Sequence, residues 1–392
     1  MAGTGRRAEP VAHRADVTAA VPSGRAGGEQ VGAGTPSRPA VMADVAIAAG
    51  VSHQTVSRVL NGHPHVRPAT RDRVLAAIEQ LGYRRNPSAR ALVTRRTLTI
   101  GVVAYNTTLF GPARTLHGVE RAAHQAGYST SLTTAEGMSA DALWSALQQV
   151  LSRSVDGIVL VAPRYAAEDV VPRLPRDVPV VVVESGDPDE VPVVRVDQHL
   201  GGRLAAEHLL ALGHSTVWHV AGPSGWDEAS GRLEGWRAAL RTAGAAEPEP
   251  LRGDWGPRSG YEAGLALDPA ATAVFVGNDQ MALGMLTALR ERGLRVPQDV
   301  SLVGFDDIPE GAYFAPPLTT VAQDFAELGR QAIRLLLEQA VRGPQARDAG
   351  SVGAGSVGAG SVGAGETGAG VTGAVVAPRL VVRESTAAPT RS

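Results

Sequence analysis

Between residues 52 and 58 the segment SHQTVSR sets three hydroxyls, an imidazole, an amide and a guanidinium side by side. No acid stands among them, and the chain has no cysteine. The stretch has no obvious nucleophile–base pair, and the lack of cysteine excludes a thiolate metal site. What these groups can do is donate and accept planar hydrogen bonds, which is the chemistry of reading base edges in a DNA groove.

The elements needed to present them are legible around the segment. In MADVAIAAGVSHQTVSRVLNG (42–62), Ala46, Gly50 and Val56 have the spacing of a helix-turn-helix. The small residue lets two helices cross, the glycine makes the turn, and the valine docks the second helix. Ser52 stands where it caps that helix. Val45, Ala49, Val56, Val59 and Leu60 form an inner face, leaving His53, Gln54, Ser57 and Arg58 outside. A third helix over 70–81, capped by Thr70, offers Val74, Leu75, Ile78 and Leu81 to the same core. His53, Gln54 and Arg58 are the candidate base readers, with Ser52 and Ser57 bordering them. Thr55, Asn61, His65, Thr70, Tyr83 and Asn86 are candidates for phosphate contacts that fix register. The bland alternative is a helical hairpin whose polar face meets only water. A metal role for His63 and His65 rests on a bare H-x-H pair, and no metal or cofactor is expected.

Charge favours the DNA reading. Residues 41–96 hold nine arginines against Asp44, Asp72 and Glu79, although the whole chain is at −2. A basic head on an acidic body points to a polyanion partner for the head alone. NPSARAL (86–92) then begins with a capping Asn86 and a proline at the first helical position. So short a helix is marginal alone and could form on DNA. Leu92 would be a wedge for the minor groove and Ala89 a close-approach residue. The alternative is an ordinary linker.

At 392 residues, 44% of them apolar, the chain has room for two or three cored domains. Strand-like runs at 98–104, 155–162, 178–184, 215–222, 271–279 and 300–307 alternate with helical stretches at 112–126, 139–153, 199–212, 229–243 and 279–292. Such alternation predicts parallel sheets covered by helices, with ligands at the carboxyl ends of the strands. Residues 1–40 read as a disordered extension. Residues 343–376 contain a GSVGAG repeat and read as a flexible insertion, followed by a returning strand in PRLVVRES (378–385). No apolar run spans a membrane and no secretory h-region precedes residue 40, so a cytoplasmic protein is expected.

DVAIAAGVSHQTVSRVLNG and YRRNPSARAL together resemble the DNA-binding head and hinge of the lactose repressor family of bacterial transcription regulators. DGIVLVAP, GRLEGWRAAL, GDW, GNDQMALGMLTALRERGLRVPQDVSLVGFDDIP, PPLTTVAQDFAELGRQA and LVVRES resemble its body. The resemblance covers about residues 41–342 and 375–387. It implies an all-α helix-turn-helix head (41–85) and a hinge helix with linker (86–97). An α/β periplasmic-binding-protein-like body of two parallel-sheet lobes then begins at 98, runs to 342 and resumes at 377–392. One lobe would take 98–194 and 322–342, the other 195–318, with three chain crossings. Arg85 departs from the proline common before the hinge asparagine. No leucine-heptad tail follows the last strand, so the resemblance implies a homodimer rather than a tetramer.

The resemblance also implies an effector site for a sugar or glycoside between the lobes. Matching its pattern, Arg232, Asn278 and Asp306 would bind hydroxyls. Glu184 stands where the family usually has an aspartate. Trp255 would stack on the sugar, Leu109 and Pro112 would wall the aglycone side, and Gln323 and Phe325 would close the rear. For each, the bland reading is an inter-domain ion pair or a core aromatic, most credibly for Phe325 and Asp307. The expectation is an operator-DNA-binding repressor under sugar control. A sugar-binding receptor and a glycoside-processing enzyme using Glu184, Asp306 and Asp307 are the competing readings.

Overall fold

A computed structural model of the chain describes residues 38, 40–84, 96–105, 107–137, 139–162, 164–188, 190–342 and 373–390. It divides into a head, ending at Asn86, and a body, beginning at Pro87. The two are described separately.

The head has three helices, α1 (Met42–Ala49), α2 (His53–Leu60) and α3 (Pro68–Gln80). Gly50 ends α1 in the left-handed region at φ 62°, where a side chain is disfavoured, and the turn to α2 follows. Ser52 caps α2 by accepting from the Thr55 N–H at 3.2 Å. Val45, Ala46, Ala49, Val56, Val59, Val74 and Ala77 make a small buried core, with Leu60, Ile78 and Tyr83 packed at its edge. Two expectations fail. Thr70 does not cap α3, which starts two residues earlier with Arg67 as N-cap and Pro68 at the first position. Proline fits there because its missing N–H would have no helical partner. Leu75 and Leu81 are exposed, and Ala77 fills the core instead. Asn86, Ala89 and Leu92, with Arg85, lie outside the described residues.

The body has two sheets. The first takes β1 (Thr99–Ala104), β2 (Ser129–Thr134), β3 (Gly157–Val161), β4 (Val180–Val183), β5 (Val193–Val196) and β11 (Ala374–Val376), in the order β11-β5-β4-β3-β1-β2. All its pairings are parallel. The second takes β6 (Trp218–Ala221), β7 (Leu251–Arg252), β8 (Ala273–Val276), β9 (Ser301–Asp306), β10 (Thr319–Ala322) and β12 (Arg379–Val381), in the order β12-β10-β9-β8-β6-β7. Only β12 runs antiparallel, against β10. Each sheet is apolar on both faces because helices cover both, and β3 and β4 are therefore unbroken apolar runs. The covering helices are α4 (Phe110–Gln125), α5 (Ala140–Leu151), α6 (Arg164–Val170), α7 (Gln198–Ala211), α8 (Asp227–Ala243), α9 (Pro257–Ala266), α10 (Asp279–Glu291) and α11 (Phe325–Arg342).

The chain passes between lobes three times, at Asp197, at Gln323–Asp324 and at Ala377–Pro378. The expected boundaries need adjustment. β5 belongs to the first lobe, and β10 through Ala322 belongs to the second. Residues 374–376, assigned to the insertion, form a strand of the first sheet. The returning strand is only Arg379–Val381, and the chain beyond it is held by backbone bonds, Leu302 N–H to the Ser385 carbonyl and Glu384 N–H to the Pro317 carbonyl, and by side chains. Ser385, fully buried, donates to the Leu302 carbonyl at 2.6 Å and accepts from the Thr319 N–H at 2.8 Å.

Candidate functional site

On the head, His53, Gln54 and Arg58 are exposed on α2, which Val56 and Val59 anchor from beneath. Ser52, Thr55, Ser57 and Asn61 are partly spent within the head: the Ser52 and Thr55 hydroxyls lie 2.9 Å apart, and Asn61 donates to Ser57 at 3.3 Å. His65 is exposed, its ring 5.6 Å from that of His63. No group of three metal-ligating side chains occurs among the described residues. Thr70 sits in the first turn of α3, and Tyr83 leans on the head core.

In the body, a cleft of about 650 Å³, partly open to solvent, lies between the lobes at the carboxyl ends of the strands. Leu109, Pro112, Glu184, Arg232, Trp255, Asn278, Asp306, Gln323 and Phe325 all line it. Glu184 follows β4 and Asp306 ends β9, which is where a parallel sheet opens a crevice. Leu109 and Pro112 flank the start of α4.

Arg232 is the centre of the polar network. Its Nε donates to Gln198 Oε1 at 2.9 Å, its Nη1 donates to the Gly277 carbonyl, and its Nη2 stands 3.5 Å from Asp306 Oδ1. Its guanidinium lies 3.7 Å from the centroid of Phe305. Helices α7 and α8 approach backbone to backbone to place it. A Cβ on Gly202 would stand 2.1 Å from the Arg232 carbonyl oxygen. Gln323 Nε2 donates to Asp306 Oδ1 at 2.7 Å. Asn278 is largely spent on structure: it caps α10 through the Met281 N–H at 2.9 Å and donates to the Trp255 carbonyl at 3.1 Å. Phe325 belongs to the first-lobe core as well as the cleft, edge-on to Phe110 at 5.9 Å. Asp307 lies apart from this network and pairs with Arg383 at 2.6 Å.

Three lining residues carry left-handed backbone: Glu184 at φ 73°, Trp255 at φ 72° and Asp306 at φ 102°. Each costs on the order of 1–3 kcal/mol, and such strain concentrates at functional sites. Trp255 is further held by Gly222, where a Cβ would stand 2.2 Å from its ring. Its indole N–H is buried without an acceptor among the described residues.

Burial governs the charges. It pushes the Glu184 carboxyl up to about 8, aided by the charge of Glu228. It raises Asp306 to about 6 against the pull of Arg232 and the Gln323 hydrogen bond. Glu228 is raised by burial too. Sequence reasoning missed Tyr105, Gln198, Trp226 and Glu228. Tyr105 ends the β1 run and could have been found as the polar residue at a strand's carboxyl end. The other three precede or open helices, where they pass for caps and first-turn acids.

The model for bacterial regulatory proteins of the lacI family matches residues 41–86, and the periplasmic binding protein-like domain matches residues 206–354. The chain is 36% identical over 317 residues to the lactose operon repressor of Escherichia coli (strain K12), covering 79% of this chain and 88% of that one. It is 36% identical over 311 residues to the ribose operon repressor of the same strain, covering 76% and 93%. A solved lac repressor dimer bound to operator and the anti-inducer ONPF matches with a TM-score of 0.76 at 32% identity, over 90% of this chain and all of that one. A complex of the transcriptional regulator CelR with cellobiose matches with a TM-score of 0.61 at 31% identity, over 88% and 99%. Likeness of this extent, in a chain that joins a helix-turn-helix head to a two-lobed α/β body, makes this protein a member of the lacI family of bacterial regulatory proteins.

Proposed function

We propose that this regulator is a homodimeric repressor whose affinity for double-stranded operator DNA is set by a sugar or glycoside bound in the cleft. The observation that carries the reading is the cleft itself. Glu184 comes from the first lobe, Arg232 and Asp306 from the second, and Gln198 and Gln323 from the segments between them. A ligand held by all of them favours one lobe geometry over others, so effector and operator binding are thermodynamically reciprocal. Arg232, Asp306 and Glu184 are the hydroxyl partners, with Asn278 presenting what its cap leaves free. Trp255 is the stacking face, Leu109 and Pro112 wall the aglycone side, and Gln323 and Phe325 close the rear.

On the head, His53, Gln54 and Arg58 read base edges, bordered by Ser52 and Ser57. Thr55, Asn61, His65, Thr70, Tyr83 and Asn86 meet phosphates, and Ala89 and Leu92 belong to a hinge wedge. The protein is cytoplasmic in this reading, since operator DNA is there. No described helix is long and apolar enough to cross a membrane. It acts by binding rather than catalysis, as the named relatives are repressors.

The test is a titration of labelled operator with the protein, alone and with a panel of monosaccharides and glycosides. One sugar should shift operator affinity in the parent, and Arg232→Ala should leave that sugar without effect. An unchanged response in a folded Arg232→Ala protein would place the effector elsewhere.

A further inference from the structure

The cleft is over-supplied with acid. Its charged lining among the described residues is Glu184, Glu228 and Asp306 against one cation, Arg232. Arg232 is already taken up by Asp306, the Gly277 carbonyl and Gln198. Among the described residues the Glu184 carboxylate has only two long hydrogen bonds, 3.4 Å from the Val196 N and 3.4 Å from Gln198 Nε2. Glu228 leans on its own backbone N–H and makes no ion pair among the described residues. Two half-buried carboxyls from opposite lobes therefore line one cleft without an ion pair, with the already engaged Arg232 as their nearest cation. Burying like charges unpaired is costly, so the pair must retain a proton or receive a positive group.

The surroundings suit a positive group on an apolar-faced ring. Tyr105 from the first lobe and Trp226 from the second lie 5.7 Å apart, and Trp226 meets Trp255 edge-on at 5.8 Å. Aromatic faces attract a cation through their quadrupoles and also pack against sugar C–H groups. Trp255, 6% exposed, brings the independent sign of a ligand: its buried indole N–H has no acceptor among the described residues. A small shift of the ring toward the cleft would let a ring hydroxyl of the ligand accept from it.

We propose that the effector is an amino sugar, its ammonium held between Glu184 and Glu228 and its ring against Trp226 and Trp255. This rests on reading the cleft as the effector site. The charged groups around Glu184 are Glu228 and Arg232, and those around Glu228 are Arg232, Asp227 and Asp306. Burial and Glu228 hold the Glu184 carboxyl protonated at neutral pH. The arriving ammonium reverses that balance, so the carboxyl gives its proton to buffer as the ion pair forms.

Calorimetry of the full chain at pH 7 tests this, with glucosamine, galactosamine and mannosamine against the corresponding neutral and N-acetyl sugars. One amino sugar should bind at least 100-fold tighter than its neutral and N-acetyl counterparts. Repeating it in two buffers of different ionisation enthalpy should show close to one proton released per ligand. Glu228→Gln should collapse the preference to within a few-fold. Equal affinity for the neutral sugar, or a preference untouched by Glu228→Gln, overturns the proposal. So does a neutral sugar whose binding weakens as pH rises through 8, because the pair then works as a retained proton. If no sugar of any kind binds while the operator still does, the effector reading of the cleft fails and this inference fails with it.

Discussion

Gln198 donates its side-chain amide to Gln323 at 3.0 Å, and the two residues sit on two of the three segments that join the lobes. Gln198 also takes the Nε–H of Arg232, while Gln323 gives its other bond to Asp306. The connecting segments are thus wired to the ligand-facing charges. Gln323→Met keeps the length and removes the wire. The effector concentration that shifts operator affinity should rise at least tenfold, since a buried hydrogen bond to a charge is worth about 1.5–3 kcal/mol. Operator titration at graded effector concentrations checks this.

Arg58→Ala and Gln54→Ala should each weaken specific operator binding by about 1–3 kcal/mol and relax preference at one position per half-site. Both side chains are exposed and away from the head core, so head stability should hold. Footprinting and competition with substituted operators provide the measurement. An unchanged footprint with Arg58→Ala would remove α2 from the groove.

Gly222→Ala should act on the cleft from behind. Its new Cβ meets the Trp255 ring at 2.2 Å, and the backbone at 222 tolerates alanine, so the ring must move. Effector affinity should fall at least tenfold while operator affinity without effector stays within twofold. Quenching of tryptophan fluorescence by effector reads the first, and operator titration the second.

Two buried groups outside the cleft add to the pH response that Glu184 and Asp306 give the body. Asp279 accepts from the Ile308 N–H and the Thr320 hydroxyl, yet burial pushes it up to about 8 from 3.8. Between those values the folded body holds a proton that the unfolded chain has lost, so stability falls as pH rises. His219 lies between Phe275 and Trp236 with its Nε2 unpartnered among the described residues, and burial pulls it down to about 3 from 6.5. There the unfolded chain takes a proton that the fold refuses, so stability is lost as pH falls. The two slopes oppose each other between 3.8 and 6.5, and from 6.5 to 8 Asp279 acts alongside Glu184. Asp279→Asn should flatten the alkaline decline by up to about 1.4 kcal/mol per pH unit. His219→Phe should resist acid better than the parent. Thermal melts from pH 4 to pH 8.5 separate the two, and parallel curves for parent and Asp279→Asn would refute the first assignment.

Strands that are apolar throughout, such as β3 and β4, were legible as runs because both faces of a parallel sheet are covered. STSLTT in β2, the two residues of β7 and TTVA in β10 were not, because hydroxyl-rich or very short strands carry no apolar run. Sheet edges and neighbours recruit them. The head's inner face was readable from helical spacing, but Leu75 stood beside Val74 and only packing decides which of two adjacent leucine-type positions turns inward. In the cleft, strand-end residues such as Glu184 and Asp306 carried their position in sequence. Trp226 and Glu228 did not, since what they face belongs to the other lobe and only the chain crossings bring it near.

β11 and β12 are neighbours in the chain but edge strands of different sheets, and both come after residues 343–372. Neither lobe of a growing chain can complete its sheet until this last segment has left the ribosome, so the lobes finish folding together, and late. The same arrangement makes the body divisible. A nick anywhere in 343–372 would leave a short C-terminal peptide bound along both sheets through two strands, the Arg383–Asp307 pair and the buried Ser385. Supplied as a separate molecule, that peptide would act as a fastener for a body lacking it, and the recovery of operator control would report its arrival.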